Sequence, residues 1–349
     1  MQKNLLESIH PVDMTAYEAC LRRFDAVAKP VGSLGEMEHL IARIAAITGN
    51  AEIDIQEKCV LVFCADNGVV RQGVTQSDHS VTTAIARMLA VGKASVCTMA
   101  KTVGADVFPV DIGMVDTVEG LLACKLMAGT KDISQGPAME RAQAEAAMET
   151  GIRLVGDKKA KGYRVIATGE AGIGNTATTA AMASVLLDMP VEAVTGKGAG
   201  LSDGGLMHKR DIVRQAIRIN RPNAADPLDV LTKVGGLDIA ALTGAFLGGA
   251  IHRIPVVMDG VISAVAALTA VRLCPLVKDY ILPSHISAEP AGALLARELG
   301  LSPILDANMR LGEGTGAVAL FPLLDMAAAV YKHAATFTDI AVDAYKRIP

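Results

Sequence analysis

Six short apolar runs, each closing on Gly, Asp or Ser, punctuate this chain and set what it can fold into. They are Cys59-Val-Leu-Val-Phe-Cys-Ala-Asp66, Asp106-Val-Phe-Pro-Val-Asp-Ile-Gly113, Tyr163-Arg-Val-Ile-Ala-Thr-Gly169, Val191-Glu-Ala-Val-Thr-Gly196, Ile254-Pro-Val-Val-Met-Asp-Gly260 and Tyr280-Ile-Leu-Pro-Ser284. Runs this apolar suit strands covered on both faces, as in a parallel sheet. Helical patterns between them, such as 141–155 and 212–218, complete a βαβ series. The expected class is therefore α/β, a parallel sheet flanked by helices. In such sheets ligands bind beyond the carboxyl ends of the strands, and Gly and polar residues gather at those ends here. The most apolar stretch, 239–271, is broken by His252, Arg253, Pro255 and Asp259. A bilayer-spanning helix needs about 20 mostly apolar residues, so this stretch reads as a buried helix, a turn, a buried strand and another helix.

The two ends differ from the middle. Residues 14–27 and 35–48 carry amphipathic helical patterns with no strand between them, and 320–348 is helical in composition. With 349 residues, more than one typical domain, the chain is expected to divide into a small helical domain (1–50 plus 320–349) and a sheet domain (51–319). A hydrophobic fraction of 51% excludes disorder. The balance of 33 basic and 37 acidic residues, net −4, gives no support for a nucleic-acid or membrane partner. Aromatics at 3%, with no Trp, leave no stacking platform for bases. The six cysteines form no C-x-x-C pair and have no His at zinc spacing. They read as buried thiols in a reducing cytosol. With no apolar signal core in Met1-Gln-Lys-Asn-Leu-Leu-Glu7, the expectation is a cytoplasmic protein without a metal.

The sharpest local feature is Gly169-Glu-Ala-Gly-Ile-Gly-Asn-Thr176, which follows a strand pattern and precedes an Ala-rich helical stretch at 177–187. Glycines at such a junction let backbone N–H groups approach an anion at a helix N-terminus. The competing reading is a tight turn with an Asn or Thr N-cap. The same residues satisfy a G-x-G-x-x-A dinucleotide fingerprint. That reading needs an acid at the end of the next strand, where Lys197 stands instead, which argues against NAD. A Walker loop is absent, because neither Gly92 nor Gly196, each followed by Lys, has a Gly five positions earlier.

Arg310-Leu-Gly-Glu-Gly-Thr-Gly316 places one carboxylate, Glu313, in a glycine loop. It suits a general base or a helix-dipole partner equally. Glu170 carries the same ambiguity. Lys209 could neutralise a phosphate, although charged runs at helix starts are usually solvated. Asp66 and Asp259 end strand patterns and could serve ligands or loop amides. His79 and His285 have no second His at metal spacing and read as structural.

Taken in order, these motifs resemble one family over nearly the whole chain. They are Pro30-Val-Gly-Ser-Leu-Gly-Glu-Met-Glu38, Ala65-Asp-Asn-Gly-Val-Val-Arg-Gln-Gly-Val-Thr75, Gly136-Pro-Ala-Met139, Gly169–Thr176, Gly196-Lys-Gly-Ala-Gly-Leu201, Met258-Asp-Gly260, Ser284-His-Ile-Ser-Ala-Glu289 and Arg310–Gly316. The sequence is similar to the nicotinate mononucleotide:5,6-dimethylbenzimidazole phosphoribosyltransferases, which make the lower-ligand nucleotide of cobamides. The resemblance implies a Rossmann-like parallel sheet, a helical domain built from both chain ends, no cofactor, and a dimer of like or unlike subunits. It implies transfer of ribose 5-phosphate from nicotinate mononucleotide to an aromatic base, giving an α-linked nucleotide and nicotinate. By matching position, Glu313 is the general base and Glu170 lies beside the ribosyl donor. Gly172, Gly174, Asn175, Thr176, Gly198 and Lys209 surround the 5-phosphate, and Asp259, Gly260 and Ser287 line the donor side. Thr75, His79, Thr83, Leu311 and Gly312 shape the acceptor pocket. The chain departs from many relatives there: Asp66-Asn-Gly68 stands for Asp-His-Gly, Thr75-Gln76 for Ser-Pro, and Thr83-Ala84 follows Val81-Thr82 where a Gln is frequent. Some relatives use phenol or p-cresol, which is the alternative within the family. A non-catalytic nucleotide-binding partner subunit is the alternative outside it.

Overall fold

The structure, a computed structural model, describes residues 3–345. Six strands form one parallel sheet in the order β3-β2-β1-β4-β5-β6. They are β1 (Lys58–Ala65), β2 (Asp106–Gly113), β3 (Leu122–Ala123), β4 (Val165–Ala171), β5 (Val256–Met258) and β6 (Ile281–Pro283). The strand order reverses between β1 and β4, whose registers run from Lys58↔Val165 to Cys64↔Ala171. A reversal of this kind opens a crevice beyond the carboxyl ends of the two strands.

Every residue of β1 is buried. Its alternating side chains enter two separate apolar layers, as the period of two requires. Cys59, Leu61, Phe63 and Ala65 pack in one layer with helices Arg141–Ala160, Asn175–Leu186, Leu237–His252 and Val261–Leu273. Val60, Val62 and Cys64 pack in the other with helices Met14–Ala26, Glu36–Thr48, Ser95–Thr102 and Thr315–His333. The helices of the two chain ends thus share one apolar layer with the sheet face. In the first layer, Gly151 and Gly244 let two helices meet at backbone distance. A Cβ on Gly151 would lie 2.1 Å from the Ala241 carbonyl oxygen, and one on Gly244 would lie 2.0 Å from that of Met148.

Five of the six apolar runs are strands. Val191-Glu-Ala-Val-Thr-Gly196 is not: it holds a four-residue helix, Val191–Val194. Pro190 at its N-cap supplies a φ of −61°, and both sides of β4 are already occupied by β1 and β5. Lys197 therefore does not end the strand beside β4 and does not occupy the place of a ribose-binding acid. The neighbouring strand is β5, and the residue after it is Asp259. The two-residue edge strand β3 is too short to carry a sequence signal.

The 239–271 stretch is helix Leu237–His252, a turn, β5 and helix Val261–Leu273, as read from sequence. The last helix begins earlier than its composition suggested, at Thr315, and stops at His333. Beyond it Thr336 and Asp339 bond to one another through side chains and backbone, a local arrangement that competes with helix. Residues 346–348 of the expected helix lie outside the described residues. Thr315–His333 is long and apolar enough to cross a membrane, yet 56% of its most apolar stretch is buried inside the protein. Its Asp325 pairs with the buried Lys58 at 2.8 Å. Four of the cysteines are buried and all six are free.

Candidate active site

The crevice at the β1/β4 ends is lined by the turn after β4, the loop 310–313, the segment after β5, and residues from 285–289 after β6. The turn after β4 needs its glycines. Gly174 has φ +92°, and a Cβ on Gly172 would lie 2.7 Å from both the Ala65 carbonyl oxygen and Asp238 Oδ2. Helix Asn175–Leu186 starts at Gly174 with no side chain capping it. Its N-terminus faces the crevice with the partial positive charge that attracts anions. Asn175 and Thr176 are inside the helix and do not cap it.

Lys209 reaches the same place from helix Asp203–Asn220. It is 1% exposed, and its Nζ donates to Thr176 Oγ1 at 2.8 Å and to the Gly196 carbonyl at 3.1 Å. Burial lowers its pKa to about 8, and Glu289 offsets part of this. A Cβ on Gly198 would lie 2.8 Å from Thr176 Oγ1 and 3.3 Å from Lys209 Nζ. Thr176, Gly198 and Lys209 therefore converge around one small volume with a cation beneath it. The bland expectation for Lys209, a solvated surface charge, fails.

Carboxylates line the rest. Gly312, Glu313 and Gly314 hold φ of +90°, +60° and +94°. This left-handed run lies against β4: a Cβ on Gly169 would come 2.4 Å from the Glu313 carbonyl oxygen. A non-glycine residue in this region is strained, and such strain concentrates at functional sites. Glu313 Oε2 accepts from the Val96 amide at 3.1 Å. It is thus a dipole partner of helix Ser95–Thr102 and not of its own following helix.

Glu170 lies at the end of β4 and opens partly onto the crevice. Burial, then the nearby Asp238 charge, raises its pKa to about 8. The Asn175 amide donates to it. Asp259 has both oxygens engaged by backbone amides, Gly314 at 3.2 Å and Ala317 at 3.0 Å, so it caps the last helix from the crevice floor. Burial raises its pKa and the adjacent His285 opposes the rise.

Glu170, Gly172, Gly174, Asn175, Thr176, Gly198, Asp259, Gly260, Ser287 and Glu313 all line the crevice, as do Thr75, Leu311 and Gly312. Lys209 lies just beneath. Three sequence-derived positions do not join them. Asp66 is buried and serves a loop amide instead, its Oδ2 accepting from Val115 N–H at 2.7 Å. His79 is exposed at the first residue of helix His79–Ala90. Thr83 is buried, and its hydroxyl donates to Asp116 at 2.9 Å.

A sequence model of a family described as phosphoribosyltransferase matches residues 9–342. The nicotinate-nucleotide–dimethylbenzimidazole phosphoribosyltransferase of Ruminiclostridium cellulolyticum is 44% identical over 343 residues, covering 98% of this chain and 97% of that protein. Its namesake from Acetivibrio thermocellus is 46% identical over 338 residues, 96% and 95% of the two chains. The chain belongs to this phosphoribosyltransferase family. The crystal structure of CobT from Thermus thermophilus superposes with a TM-score of 0.89 at 35% identity, covering 94% of this chain and 99% of that one.

Within this phosphoribosyltransferase, sequence reasoning missed Asp238 entirely and undervalued His285. Asp238 is the second residue of a helix read only as an apolar stretch, so nothing local marks it. His285 is buried and lines the crevice beside Asp259. Its signal was Gly316: a Cβ there would lie 1.9 Å from His285 Nδ1, a contact that no sequence pattern reveals. Among the described residues, no group of three or more His, Cys, Asp or Glu side chains could hold a metal.

Proposed function

We propose that this enzyme transfers ribose 5-phosphate from nicotinate mononucleotide to 5,6-dimethylbenzimidazole or a closely related base, releasing nicotinate and an α-ribotide for cobamide synthesis. The observation that carries this reading is one crevice with two chemically opposite ends. One end is a glycine turn and uncapped helix backed by the buried Lys209, which suits a phosphate. The other holds Glu170 and Glu313, which suit a developing sugar cation and a base. The names of the 44–46% identical relatives supply the substrates.

In this mechanism the 5-phosphate seats against Gly172, Gly174, Asn175, Thr176 and Gly198, above Lys209. Gly260, Ser287 and Asp259 flank the donor. The C–N bond to nicotinate breaks, nicotinate leaves with the electron pair, and positive charge grows on the ribose beside Glu170. The acceptor nitrogen attacks the opposite face, so the anomeric centre inverts to α. Glu313 takes the proton from the acceptor nitrogen. Thr75, Leu311 and Gly312 border the acceptor. His79 and Thr83 would act there only through a rearrangement of helix His79–Ala90. We further propose a dimer as the working form, with the described residues of 1–50 and 320–349, helical up to His333, as a unit beside the sheet; light scattering on the purified chain tests the dimer.

The deciding experiment incubates the protein alone with nicotinate mononucleotide and a mixture of benzimidazoles, adenine and phenols, and identifies the products by mass spectrometry. An α-ribotide of a benzimidazole is expected. A phenolic product would shift the acceptor assignment, and no product from the single chain would favour a partner-subunit role.

A further inference from the structure

Asp238 has no exposed surface, lies at the start of helix Leu237–His252, and touches the reaction centre only through another residue. Its Oδ1 accepts from the Ile239 amide at 3.0 Å, which fixes the carboxylate on its own helix. Its Oδ2 accepts from Asn175 Nδ2 at 3.0 Å. The same nitrogen donates to Glu170 Oε2. An amide nitrogen has two hydrogens, and here each goes to a different carboxyl. If the Asn175 amide were flipped, its oxygen would face two carboxyl groups. Asp238 therefore selects the orientation in which Asn175 donates to Glu170. It also underlies the phosphate turn, since only a glycine at 172 clears Asp238 Oδ2.

We propose that Asp238 is a positioning residue of the transfer reaction: through the Asn175 amide it sets the orientation and the charge of Glu170. The inference rests on the reading of Glu170 given above. The groups acting on Glu170 are acidic: Asp238, Asp259 and Glu313. Asp66 acts in turn on Asp238, and the buried Cys64 thiol lies near both Glu170 and Asp238. Burial leads in raising both carboxyls, Glu170 to about 8 and Asp238 to about 6, while the Asn175 hydrogen bonds lower both. Two acids this close titrate as a pair. Removing the charge at 238 makes Glu170 easier to ionise. Removing the Asn175 donor makes it harder.

The test compares pH profiles of kcat/KM for nicotinate mononucleotide in wild type, Glu170→Gln, Asp238→Asn and Asn175→Leu, with acceptor KM measured alongside. Wild type should show an acid limb that Glu170→Gln removes. Asp238→Asn should move the limb to lower pH by about one unit, the scale of a close like-charge effect. Asn175→Leu should move it to higher pH. Acceptor KM should stay within twofold in both. A limb that stays in place in both variants, with only a uniform fall in rate or melting temperature, would reduce Asp238 to a structural cap. If one variant does not fold, the sign in the other decides alone. A limb that persists in Glu170→Gln overturns the role of Glu170 and this inference together, whereas a wild type that makes no α-ribotide overturns the proposed function itself.

Discussion

Glu313 holds a φ of +60°, a conformation that disfavours side chains larger than Gly by roughly 1–2 kcal/mol. A residue kept there against that cost is doing something glycine cannot. Gln would keep the same strain, and its amide oxygen would still accept from Val96. Glu313→Gln should therefore melt within a few degrees of wild type while losing about 10²–10⁴-fold in turnover, the usual worth of a general base. Near-normal turnover would remove Glu313 from that role. Lys209 makes a two-sided prediction. Its folded pKa is depressed to about 8, so between about 8 and the ordinary lysine value the unfolded chain binds more protons. Stability should accordingly rise with pH across that window. Donor affinity should move the opposite way, because the cation beneath the phosphate is lost as pH climbs through 8. Donor KM measured from neutral to alkaline pH should rise in wild type. Lys209→Met should start at least tenfold higher and lack this rise, since a charged hydrogen bond is worth about 1.5–3 kcal/mol. A wild-type KM independent of pH would show that Lys209 does not serve the phosphate.

Elements meet here through glycine, and two glycines separate stability from chemistry. Gly151→Ala would push a methyl into the Ala241 carbonyl between two buried helices. It should lower stability by about 1–3 kcal/mol, the usual cost of overpacking, with kcat unchanged below the melting transition. Gly169→Ala would push instead on the Glu313 backbone. It should cost on the order of 10²-fold in kcat, because a displacement of about 1 Å at a reacting group has that effect. Equal kcat losses in the two variants would count against the loop 312–314 as catalytic. The elements themselves were largely legible in the sequence, because continuous apolar runs such as 59–65 have few other stable uses. Where the reading failed, tertiary context decided. Val191–Val194 has the composition of a strand, but no free sheet edge beside β4 remains to receive it.

At the scale of the whole molecule, legibility stops where burial begins to act on charge. The glycine turn and the loop around Glu313 announce themselves, since left-handed backbone demands glycine next door. Asp238, His285 and the depth of Lys209 do not, because their importance comes from elements distant in sequence meeting beneath one crevice. That crevice sits beyond the carboxyl ends of the strands, where the strand order reverses between β1 and β4. A ligand bound there contacts loops that follow β4, β5 and β6, and so should stabilise the molecule as a unit. Nicotinate mononucleotide at 100 times its Kd should add about 2.7 kcal/mol to unfolding free energy, read as a rise in melting temperature. Inorganic phosphate should give a smaller rise, because it fills only the end above Lys209, and Lys209→Met should shrink both. NADH should give none: the acid beyond β5, Asp259, has both oxygens engaged by the Gly314 and Ala317 amides, so it is not free to hold a ribose. A clear shift with NADH would mean that this cap opens and that the crevice takes dinucleotides after all.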